Sequence, residues 1–98
     1  MLIEVVEEAQ GQFAYRDAWW RANRDAQELF VEEYERALAH LSTSPKSGDQ
    51  YRIVRGKLIR RWLMKKTECH IYYWHSEELD VLEIRAFWGA KRERGPEL

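Results

Sequence analysis

Apolar positions recur along this chain in two rhythms, and the change falls near its middle. Leu2 to Val6 is a short apolar run and is predicted to be a strand. Glu7 to Ala22 is predicted to be a helix: Ala9, Phe13 and Trp20 recur at helical spacing, and Val6 joins their stripe. Gly11 weakens that helix by about 1 kcal/mol relative to alanine. Asn23 suits a helix stop and a cap for the next helix, and Asp25 with Glu28 offers a capping box. From Arg24 to Leu41 the residues Ala26, Leu29, Phe30, Tyr34, Ala37, Leu38 and Leu41 form one continuous stripe, with Glu32, Glu33, Glu35 and Arg36 largely outside it. Only a residue or two joins the two helices, so they are expected to fold back as an antiparallel hairpin.

Ser42 to Asp49 is polar, with Pro45 and Gly48 as breakers. The rhythm then shortens to two. Tyr51 to Val54 reads as a short extended piece broken at Gly56. Leu58 to Lys65, Cys69 to His75 and Val81 to Trp88 read as three strands of a meander, turning at 66–68 and 76–80. In the last strand Leu82, Ile84 and Ala86 are expected on one face, and Glu83 and Arg85 on the other. Helices first and a meander second define an α+β chain: an N-terminal strand and a two-helix hairpin packed on a small, antiparallel-rich sheet.

A length of 98 residues fits one domain, spanning 1–98. The lone cysteine, Cys69, leaves no internal disulfide or cysteine-rich zinc site and fits a reducing cytoplasm. The chain has no apolar run of about 18 residues for a membrane span, and its acidic start is unlike a signal peptide. The net charge of −1 conceals an asymmetry. Residues 1–50 carry 5 basic and 10 acidic side chains, and residues 51–98 carry 11 and 7. The strand half is basic, but a pI near 6.3 argues against nonspecific nucleic-acid binding.

That asymmetry directs attention to the second half. Arg60 and Arg61 point to opposite faces of one strand. Their planar forks suit phosphate or carboxylate, and their stems equally suit snorkelling over apolar neighbours. Lys65 and Lys66 fall at a turn, where lysine is common. Lys91, Arg92 and Arg94 form a denser tail. His70 and His75 have opposite parity on one strand, and His40 lies on a helix, so they offer no joint metal site. His70 alone is a candidate acid or base. Tyr72, Tyr73 and Trp74 read as sheet packing. Trp19 and Trp20 are adjacent, so one is expected to dock on the sheet and the other to be available to a partner.

The order of elements, the segment Leu41-Ser-Thr-Ser-Pro-Lys-Ser-Gly48, the pair Arg60-Arg61, the run His70-Ile-Tyr-Tyr73 and the close Arg92-Glu-Arg-Gly-Pro96 together resemble the RelE/ParE superfamily of bacterial toxins. The resemblance covers nearly the whole chain. It implies the toxin of a type II toxin-antitoxin pair, cytoplasmic, without a cofactor, forming a homodimer or a heterotetramer with its antitoxin. One branch of the superfamily cleaves messenger RNA on the ribosome; the other inhibits DNA gyrase. The nuclease branch has alternating lysines where this chain has Arg61 and Leu63, and an arginine where it has His70. Its terminal tyrosine falls on or near Leu98. Arg61, His70 and Arg92 therefore make at most a reduced catalytic set, which favours a gyrase inhibitor over an endoribonuclease. The resemblance implies target contacts at Arg60, Arg61, Arg92 and Arg94, and antitoxin contacts at Trp19, Trp20 and Tyr34.

Overall fold

The computed structural model describes all residues from Met1 to Leu98. Its elements run β1 (Leu2–Val5), α1 (Glu7–Asn23), α2 (Leu29–Thr43), β2 (Asp49–Val54), β3 (Lys57–Met64), β4 (Cys69–Ser76) and β5 (Val81–Gly89). The five strands form one sheet in the order β1-β5-β4-β3-β2. Consecutive strands β2 to β5 pair antiparallel, whereas β1 lies parallel to β5, with Leu2 opposite Val81 and Val5 opposite Ile84. The fold is α+β, and its sheet is mixed.

Helix α1 begins where Val6 leaves the strand, with Glu7 and Glu8 placed favourably against the positive end of the helix dipole. It ends at Asn23, as the sequence suggested. Helix α2 begins later than its stripe suggested, at Leu29 rather than Arg24. The amides of Gln27 and Leu29 bond to Asp25 and Ala26 in tight turns, and neither Asp25 nor Glu28 caps the helix with its side chain. Arg24 is extended and lays its guanidinium over Trp19 and Trp20, which takes this residue out of the helical path. The connection is correspondingly longer than expected.

Both helices cover one sheet face. Phe30, Ala37 and Leu41 of α2 are buried there against Met64, Ile71, Tyr73, Leu82 and Ile84. Helix α1 contributes Ala9 in full and Phe13 and Trp20 in part. Strand β1 is shorter than β5, so the upper edge of β5 has no strand beside it. Gln12 fills that gap by accepting a hydrogen bond from the Phe87 amide at 2.9 Å.

Two bulges adjust the sheet. Arg85 is an extra residue in β5, between the pairs Tyr72–Ala86 and Tyr73–Ile84. It reverses the alternation beyond it. Leu82 and Ile84 face the helices as expected, but Ala86 turns to the opposite face and Phe87 takes its place in the main core. Tyr51 is the corresponding extra residue in β2. The β2–β3 hairpin turns through Arg55 and Gly56, both with positive φ, as a two-residue turn with the sheet's twist requires.

Part of the face away from the helices is covered by the chain's own tail. Trp88 Nε1 donates to the Arg94 carbonyl at 2.6 Å. Pro96 is buried, and Leu98 packs on the small cluster of Ile59, Tyr72 and Ala86. No helix is long and apolar enough to cross a membrane.

Candidate functional site

The register sorts the candidate residues by face. Arg60 pairs with Tyr73 and lies on the helix side, where its Nη1 donates to the carbonyls of Lys46 and Gly48 at 3.1 and 3.0 Å. It holds the loop between α2 and β2. Tyr73 holds the same loop from below: its hydroxyl donates to the Pro45 carbonyl and accepts from the Gly48 amide. A Cβ on Gly48 would lie 2.6 Å from that hydroxyl and 2.9 Å from the Arg61 carbonyl, so the loop's close approach needs glycine.

Arg61 faces the other way. It pairs with Tyr72, and its guanidinium lies over the Tyr51 ring at 5.2 Å, with Tyr51 edge-on to Tyr72 at 5.0 Å. His70 is next along the same face, 5.8 Å from the Tyr72 ring. Its pKa is lowered from the usual 6.5, first by burial and then by Arg61, with Asp49 pulling the other way. Its cross-strand neighbours are Leu63 and Trp88. Arg92 stacks on Trp88 at 4.2 Å. The structure thus joins Arg61 and His70 on one face and reaches Arg92 only through Trp88, at the β5 edge. Arg94 contributes its carbonyl to Trp88, and its side chain is exposed.

This surface can hold an anion through Arg61 and accept a proton at a neutral His70. Leu63 lies directly across from His70 and one step nearer the β3–β4 turn than Arg61 on this face. Leu98 packs on the apolar cluster at this face. No group of three or more His, Cys, Asp or Glu side chains gathers closely enough to hold a metal ion. His40 stacks on Trp62 at 4.7 Å and bonds to Ser47, and His75 faces the helix side opposite Leu82.

The aromatic candidates divide into two places. Trp20 packs against the main core while Trp19 stays exposed, and both line a basic cleft at the end of α1. Tyr34 faces a separate apolar groove formed with Val5, Gln10, Phe13 and Phe87. Sequence reasoning overlooked Arg16 and Arg24, which join Arg92 in that cleft. Arg16, Trp20 and Arg24 are spaced four apart, and that spacing was the available signal. It also overlooked Tyr51, whose ring supports both Arg61 and Arg52.

No protein-family model matches the chain, and no curated protein shows significant similarity to it.

Proposed function

We propose that this chain is a ParE-like toxin of a RelE/ParE-type toxin-antitoxin pair, which arrests growth by binding DNA gyrase and is neutralised by its cognate antitoxin. The observation that carries the preference for binding over cleavage is the composition of the Arg61 face. Phosphoryl transfer depends on cations positioned around the scissile phosphate. Here one guanidinium neighbours one imidazole, and Leu63, which the resemblance matches to a lysine of the nuclease branch, adds no cation beside His70. Removing a single preorganised group typically costs about a hundredfold in rate. A face that lacks several favours holding a target over cutting one.

The second reading, a ribosome-dependent endoribonuclease with a reduced site, draws on one observation: Arg61 and His70 share a face, and His70 is held towards its neutral, proton-accepting form. The two readings separate in a paired experiment. The purified chain is added to a gyrase supercoiling assay and, from the same preparation, to programmed ribosomes whose messenger ends are mapped by primer extension. Loss of supercoiling with intact messenger is expected. Codon-specific cuts with gyrase unaffected would reverse the order. An antitoxin produced from the adjacent gene is expected to copurify with the chain, and independent elution at micromolar concentration would count against the pair.

A further inference from the structure

At the C-terminal end of α1, the helix, the β3–β4 turn and the start of the tail enclose a cleft of about 510 Å³. Arg16, Arg24, Lys66, Lys91 and Arg92 line it, against one carboxylate, Glu68, which is engaged by Lys91 at 3.1 Å. None of the other four cations has a carboxylate within 4.0 Å. Glu33 of α2 is committed to the turn itself: it accepts from the amides of Lys66 and Thr67 and from the Thr67 hydroxyl. This is a local concentration of positive charge on a chain whose net charge is −1. The cations come from three separate elements, so the α1 dipole, which favours a cation at its own last turn, accounts for Arg24 alone.

Trp20 lines the same cleft, and its Nε1 is buried with no acceptor in the chain. A buried donor left unbonded is costly and is normally satisfied. Beside it, Trp19 is 38% exposed. Gly89 leaves bare backbone between two arginines: a Cβ there would lie 2.8 Å from Arg16 Nη2 and 3.6 Å from Arg92 Cγ.

We propose that this cleft binds a nucleotide, its phosphate held by Arg16, Lys66 and Arg92 and its base resting on Trp19. Guanidinium forks take phosphate oxygens two at a time, and the Trp19 indole, already carrying Arg24 over its ring at 4.7 Å, accepts a planar base on its exposed part. Its volume falls within the range of small-ligand sites. The exposed Trp19 indole beside these cations favours a nucleotide over an acidic peptide, which has no planar base to stack. The inference rests on the cleft itself and shares only Arg92 with the target contacts expected above. Free nucleotides and nucleic-acid strands present the same chemistry.

The test is an NMR titration of the isotope-labelled full chain with AMP, adenosine, inorganic phosphate, a short oligoadenylate and an aspartate-rich peptide. AMP is expected to shift the indole signals of Trp19 and Trp20 and the Gly89 amide saturably, with adenosine and phosphate each much weaker. Arg16→Gln and Lys66→Gln are each expected to weaken AMP binding about tenfold, as loss of a charge-assisted contact to phosphate does. Lys66 is exposed, so its variant keeps the test valid even where Arg16→Gln melts early. Oligoadenylate binding more tightly than AMP identifies a strand as the source, and the reverse identifies a free nucleotide. The proposal is overturned by an absence of saturable shifts, by phosphate matching AMP, by unchanged affinity in the Lys66 variant, or by the peptide outcompeting both nucleotides.

Discussion

Arg60 and Arg61 are neighbours in sequence with unequal work, because a strand sends them to opposite faces. Arg60→Ala removes two hydrogen bonds to loop carbonyls and is expected to lower stability by about 1–2 kcal/mol, read from urea unfolding. Arg61→Ala is expected to unfold at nearly the wild-type midpoint, since its guanidinium lies over Tyr51 with no carboxylate partner, and, on the toxin reading proposed above, to relieve growth arrest. Equal toxicity of Arg61→Ala and wild type would remove it from the target surface. His70 adds a pH dependence. Its folded pKa lies below its unfolded value, so the unfolded chain binds the proton more readily. The stability this contributes is fully present above about pH 6.5 and is lost as pH falls through the lower folded value. Wild type is therefore expected to lose more stability than His70→Phe between about pH 7 and about pH 5. Burial raises the Cys69 thiol to about 11, so thiol reagents are expected to label it only as fast as the chain opens.

Elements differ in how openly the sequence announced them. The stripe of α2 was legible because Phe30, Ala37 and Leu41 alternate with carboxylates at helical spacing. Its start was hidden because Arg24 has good helix propensity, yet is drawn onto two indoles that no local pattern marks. Strand β5 was legible up to Ile84. Its bulge was not, because the extra residue is an ordinary arginine and the reversal shows only in the register with β4. Arg60, Arg61 and His70 could be placed on faces from parity alone. Their surroundings, Tyr51 above all, depend on which strands become neighbours. The loop between α2 and β2 gives a prediction at this scale. Tyr73→Phe leaves the buried Gly48 amide without its acceptor and frees the Pro45 carbonyl, and is expected to cost about 2 kcal/mol in a thermal or urea melt.

For the whole molecule, the informative segment is the tail, which the sequence presented only as a basic run. Trp88, Pro96 and Leu98 fasten it across the second sheet face, and this covering has no sequence period because it uses single anchors. Removing residues 94–98 is expected to expose the Tyr72 cluster, raise binding of an apolar-surface dye and cost about 2 kcal/mol. Unchanged dye binding would show that the tail contributes no cover.

The parallel pairing of β1 with β5 also bears on when this protein comes into being. The second residue of the chain finds its partner at Val81, and the Val6 amide finds its acceptor at Ile84. During synthesis the first strand leaves the ribosome long before the last one exists. Neither α1 nor α2 can supply the backbone partners that β1 needs. The sheet therefore closes only after β5 has been synthesised, and a nascent chain stalled before it holds helices without a finished fold. Activity that depends on the closed sheet is withheld from every copy that stops before β5.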